Sequence, residues 1–259
     1  MPAGPLAVAW ESWSAIDART ALWLLGACVL AYFLKGFSGF GPAMVFIPSV
    51  SVLFDPRAAL AASAFIDIFV GVGLLRVLRY EAGEMRLVLR LAAFMAVGTV
   101  TGGALAGAGS QQVLLTAITV VILGFGSSLI VFHRPLPVGA APRSTRALDL
   151  GCVVGGVTGG LVGISGPFII VVLRPLTEKG RFRRVLVALF LIEGAVKLAA
   201  YALVGVWTPS TLPVSAVAAP AVALGLALGM RSHAKVNERL FSAVVGVILV
   251  ALAVRLLLR

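Results

Sequence analysis

Two short stretches of this chain combine residue types suited to holding an anion. GFSGFGP (residues 36–42) and GGVTGGLVGISGP (155–167) each end in Gly-Pro, and each leads into an apolar run, AMVFIP or FIIVV. Proline suits the first position of a helix, where its missing N–H is no loss, and Ser38 or Ser165 just upstream could cap that helix. A helix beginning there offers amide N–H groups and the positive end of its dipole, a setting that suits a small oxyanion. The expected binding residues are therefore Gly36, Ser38, Gly39, Gly41 and Pro42 in the first stretch, and Gly159, Gly160, Gly163, Ser165, Gly166 and Pro167 in the second. Lys35 borders the first stretch and either attracts the anion or extends into a water-filled vestibule. Gly160 occupies that register in the second. Close helix packing is the plainer use of glycine in apolar surroundings. It leaves the matched prolines unexplained.

Asp67 and Glu193 are the acids placed well inside apolar segments. A carboxyl group held there can exchange protons near neutral pH and tie anion movement to a proton gradient. Glu193 has Lys197 four residues on, the spacing of a helical ion pair, so it is either a neutralised pair or a coupling group. Asp67 has no such local partner, although Arg76 or Lys35 could reach it. Cys28 and Cys152 stand thirteen and fourteen residues before the glycine of Gly-Pro. Each is either a thiol that touches a sulfur-containing substrate or a small apolar filler. Neither belongs to a CxxC pair, so no disulfide framework, metal site or cofactor is expected. His133 and His233 sit among arginines and are expected to face solvent. No Ser/His/Asp set, HExxH or Walker loop occurs, which argues against an enzyme.

The segments that must carry these residues are membrane segments. Of 259 residues, 60% are hydrophobic and 12% charged, against a globular average of roughly 25% charged. Mean hydropathy is +1.08. Residues 91–132 and 198–230 contain no charge, too long for one crossing of about 20 residues. GAGSQQ (107–112) and WTPSTLP (207–213) divide them into helical hairpins. Six ordinary crossings are expected, at 57–78, 87–107, 112–132, 184–205, 212–230 and 239–257. Residues 20–54 and 148–173 are instead broken by the glycine-rich stretches. An arm such as 20–34 would be about 22 Å long as a helix, short of a core about 30 Å thick, so each segment fits a hairpin that enters and turns back or a broken helix. The loop charges decide for re-entrance, since sides alternate correctly only if residues 148–173 start and finish on the cytoplasmic side.

The net charge of +11 arises from arginine and lysine in short loops, where they set orientation, and no nucleic-acid-reading motif accompanies them. Clusters at Arg76–Arg90, Arg134–Arg146, Arg174–Arg184 and Arg231–Arg239 belong on the cytoplasmic side, and the uncharged loops at 107–112 and 205–213 outside. Arg255 and Arg259 are the exceptions, since they would end the last helix outside. The N-terminal 20 residues lack the early basic cluster of a secretory signal, and Trp10, Trp13 and Trp23 are expected as interfacial anchors. The resulting fold is an all-α polytopic membrane protein. It has two inverted repeats, each a re-entrant or broken hairpin followed by three transmembrane helices. Its expected divisions are an interfacial segment at 1–19, repeat 1 at 20–132, a basic cytoplasmic linker at 133–147 and repeat 2 at 148–259. Setting Gly41-Pro42 over Gly166-Pro167, with a shift of one residue in the loop, brings Asp67 opposite Glu193.

Two glycine-rich breaks leading into short apolar runs, one near the N-terminus and one past the middle, with a basic central loop, resemble the TauE/SafE family of sulfite exporters. The resemblance covers the chain from about residue 20. It implies a multi-pass protein of the bacterial cytoplasmic (inner) membrane that moves small sulfur oxyanions or organosulfonates. The partners expected are the small anion, protons and the lipid bilayer, with no nucleic acid, and assembly into a homo-oligomer is left open. The alternatives are a passive anion channel and a non-transporting membrane scaffold.

Overall fold

A computed structural model describes residues 17–38, 41–75, 82–131, 145–173, 179–207, 211–232 and 238–258. Among them all regular structure is helical. The elements are α1 (Ala18–Ser38), α2 (Pro42–Ser51), α3 (Pro56–Leu75), α4 (Ala82–Ala108) and α5 (Gln111–Val131). They are followed by α6 (Thr145–Val162), α7 (Gly166–Leu173), α8 (Lys179–Leu203), α9 (Thr211–Ser232) and α10 (Glu238–Leu257).

Local chemistry sets several of these boundaries. Asp55 precedes Pro56 and accepts the Arg57 amide at 2.7 Å through its carboxylate, the arrangement of an N-cap followed by proline at N1. Ser110 does the same for α5, accepting the Val113 amide at 3.3 Å. Each of the six expected crossings is one helix. α1, α3, α4, α5 and α8 are long and apolar enough to span a bilayer by length and composition. The chain is an all-helical multi-pass membrane protein.

Each broken segment is two helices, α1 with α2 and α6 with α7. One arm differs from expectation. α1 is 21 residues long, about 31 Å at 1.5 Å per residue, so its length does not force it to turn back. It remains helical through Gly36 because that glycine meets another helix: a Cβ there would collide with Leu226 O and lie 2.9 Å from Met230 N on α9.

The helices fall into two compact units, with the boundary inside α3 between Ser63 and Ala64. The first comprises α1, α2, the start of α3, α5, α9 and α10. Here α1 lies backbone to backbone on α9, since a Cβ on Gly225 or Gly229 would strike Val29 O or Phe33 O. α5 meets α10 at Gly126 and Gly246, where a Cβ on Gly246 would be 2.8 Å from Gly126 O. α2 is buried along its whole length. Trp23 of α1 donates its indole N–H to Ser49 O near the end of α2 at 2.9 Å, and the guanidinium of Arg255 lies 5.4 Å from its ring centroid. This contact gives Arg255 a partner. Trp23→Leu removes a cation–π contact of about 0.5–1 kcal/mol and a hydrogen bond of about 1 kcal/mol. A melting curve of the purified protein in detergent is expected to shift down by an amount matching that sum. Trp10, Trp13, His133, His233 and Arg259 lie outside the described residues.

The second unit comprises the rest of α3 with α4, α6, α7 and α8. Its centre is the crossing of α4 and α6. Gly98 and Gly102 face the carbonyls of Val153 and Val157, and Gly156 and Gly160 face those of Met95 and Thr99, each too close for a Cβ. This is a reciprocal pair of small-xxx-small faces. Two ion pairs tie down the same helices. Glu84, at the start of α4 and 1% exposed, accepts from Arg184 of α8, whose Nε lies 2.9 Å from Oε2. Arg90 donates to Asp149 of α6 at 2.6 Å.

Candidate functional site

The second unit contains the richest buried polar cluster among the described residues, built around the break between α6 and α7. α6 ends at Val162, and Gly163 takes a left-handed φ of 75°, a conformation that favours glycine. Ile164 and Ser165 then lead into α7, with Pro167 at its second residue. Ser165 O accepts the Ile169 amide at 3.2 Å, the first bond of that helix. The Ser165 hydroxyl does not cap α7. It donates instead to Glu193 Oε2 on α8 at 2.7 Å.

Glu193, Lys197 and Tyr201 recur at every fourth residue and so share one stripe of α8. Lys197 Nζ lies 3.3 Å from Glu193 Oε1 as an ion pair without hydrogen-bond alignment, so among the described residues Oε1 has no hydrogen-bond donor. Glu193 and Lys197 are each 4% exposed and Ser165 is 5% exposed. Gly159 of α6 gives the carboxylate room: any Cβ there would collide with Oε1. Tyr201, fully buried, donates its hydroxyl to Gly160 O at 2.7 Å. That carbonyl belongs to the last turn of α6, where no intrahelical donor follows. Asp67 stands on the part of α3 within this unit and acts electrostatically on Glu193. Its helix touches α8 where Gly194 meets Ile68 and Ala64 O.

Of the residues expected from sequence, Gly159, Gly160, Ser165 and Glu193 come together here, with Gly163, Gly166 and Pro167 buried in the same break. Gly160 and Gly159 have distinct tasks. The first lets α4 approach, and the second accommodates a carboxylate. Cys152 is fully buried on α6.

The first break lies in the other unit. Gly41, with a φ of 70°, is the N-cap of α2, and Pro42 follows at N1. Ser38 is the last residue of α1, and its side chain lies outside the described part of the chain. Lys35 is buried at 7% exposure, with its ammonium 5.8 Å from the ring centroid of fully buried Tyr32. Cys28 is 3% exposed in the same helix. Gly39 lies outside the described residues.

Sequence reasoning missed Tyr201, although its spacing from Glu193 and Lys197 was a usable signal. It also missed Glu84 and Asp149 as partners of Arg184 and Arg90. Nothing in the local sequence pairs residues so far apart.

In comparison with known proteins, residues 24–256 match the family model described as Sulfite exporter TauE/SafE. No curated protein and no solved structure matches the chain.

Proposed function

Because the chain belongs to the sulfite exporter TauE/SafE family of membrane transporters, we propose that it is a proton-coupled secondary transporter of small sulfur oxyanions or organosulfonates in a bacterial inner membrane. The anion is received at the N-termini of the half-helices that follow the breaks. In the second unit these are the first amides of α7 with Ser165, and in the first unit those of α2 with Lys35. A helix N-terminus carries about half a positive elementary charge. Free of water, that charge and its N–H groups favour an oxyanion strongly.

The observation that carries this reading is the Ser165–Glu193 hydrogen bond. A buried carboxylate already occupies the donor beside the N-terminus of α7, so the position accepts negative charge on oxygen. An acid at that position also links anion binding to protonation, with Asp67 as its neighbouring acid on α3.

The pairing of helices within the units supports an inverted repeat. α1 packs on α9 through Gly225 and Gly229, and α6 packs on α4 through Gly98 and Gly102. α4 and α9 are each the third helix after a break, so the two packings exchange the halves of the chain in the same way.

The test is sulfite flux through proteoliposomes containing the purified protein under an imposed pH gradient. The gradient is expected to drive sulfite against its own concentration gradient and to saturate with substrate. Flux indifferent to the gradient removes proton coupling, non-saturating conductance favours a channel, and absence of flux removes sulfite.

A further inference from the structure

The geometry points to Lys197 as the counter-ion of the transported anion, released to it when Glu193 takes up a proton, so that one proton accompanies each monovalent anion. This rests on the transport reading above and assigns its substrate charge and stoichiometry.

Charge balance carries the inference. With Glu193 ionised, the buried pair with Lys197 is neutral and the Ser165 hydroxyl is occupied. An anion entering this state would add a net negative charge at a site where solvent does not compensate it. One proton on Glu193 reverses the situation. The carboxyl group becomes neutral, Lys197 keeps its positive charge, and the Ser165 hydroxyl can turn to a new acceptor. A monovalent anion then restores neutrality between Lys197, Ser165 and the start of α7. Empty and loaded states carry the same net charge, so the cycle moves no net charge across the membrane.

The groups facing Glu193 fit this scheme. Ser165 faces it from the start of α7, Lys197 shares its helix, and Tyr201 is committed to Gly160 O. α6 presents Gly159, which has no side chain to compete. α4 presents Thr99 beside Gly160, with its hydroxyl bonded to Met95 O. Asp67 of α3 acts on it electrostatically. A divalent anion would leave one negative charge over. The site therefore selects monovalent anions such as sulfonates and hydrogen sulfite over divalent ones such as sulfate.

Methanesulfonate is the probe, because it is permanently monovalent and brings no proton of its own. Proteoliposomes holding the full chain are expected to accumulate it under a pH gradient and to ignore a potassium diffusion potential. Glu193→Gln is expected to abolish pH-driven accumulation and to make residual exchange independent of buffer pH. Lys197→Met is expected to slow exchange about tenfold or more, the scale of one charge-assisted contact, with partial recovery in Lys197→Arg. Since Lys197→Met strands a buried acid, the neutral double variant Glu193→Gln with Lys197→Met serves as the folded control, and it too is expected to lose exchange. Accumulation driven by the potential, normal exchange in the folded double variant, or sulfite flux without methanesulfonate flux each overturns the inference while leaving transport standing. Absence of flux for both anions overturns the transport reading itself.

Discussion

Gly160→Leu is expected to eliminate the folded protein. A Cβ at this position would collide with Thr99 O and sit 2.6 Å from Gly103 N, both backbone atoms of α4. Overpacking a core with side chains costs about 1–3 kcal/mol because the neighbours can turn aside. Backbone cannot, so here α4 and α6 must separate. Separation would also break the Tyr201 hydroxyl bond to Gly160 O and pull Gly156, Gly98 and Gly102 out of register. Native stability is about 5–15 kcal/mol, and losing the tightest crossing of a unit consumes much of it. Size-exclusion chromatography in detergent should show the monodisperse peak disappearing. Gly26→Leu and Gly124→Leu provide the contrast, since nothing among the described residues lies within 4 Å of a Cβ at either position. Both should give normal peaks. Normal yield from Gly160→Leu would mean the crossing is looser than described.

Removing the carboxylate of Glu84 is the second large effect. It is 1% exposed and serves Arg184, with Arg181 Nε 3.9 Å from the same side chain. Breaking a buried pair by deleting one partner typically costs about 3–5 kcal/mol because the other charge is left without compensation. Arg184 retains 26% exposure of its side chain, so Glu84→Ala should fall at about 3 kcal/mol, the low end of that range. Loss of thermal stability measures it. Arg184→Ala combined with Glu84→Ala should cost less than the sum of the two single changes, as contacting partners do. Additive losses would show that the two residues act independently.

The helices of the six expected crossings were legible because about twenty apolar residues between turn signals admit few other structures in lipid. The two breaks were legible for the same reason: glycine and proline disrupt a helix wherever they fall in an apolar run. Whether a given glycine breaks or packs was not. Gly36 and Gly160 were expected as parts of the breaks, yet both sit inside helices against a neighbour's backbone, while Gly41 and Gly163 turn the chain. Ser165 shows the same limit. Capping is a local rule, and at Ser165 a carboxylate 28 residues away took the hydroxyl from it.

The arginines separate the two kinds of information most clearly. Their number and position along the chain predicted cytoplasmic loops without reference to any partner, because loop charge acts on orientation from sequence alone. Their acids could not be read that way. Glu84 lies 100 residues from Arg184, and Asp149 lies 59 from Arg90.

Composition and periodicity by themselves determined a multi-pass helical membrane protein with two interrupted segments and acids within its spans, because the bilayer penalises every unpaired backbone group and every stray charge. Tertiary packing alone decided that Ser165, Glu193 and Lys197 meet beside Gly159. That meeting depends on how closely α6, α7 and α8 approach. Distance between helices is set by side-chain volumes on both partners at once, a quantity no single stretch of sequence contains.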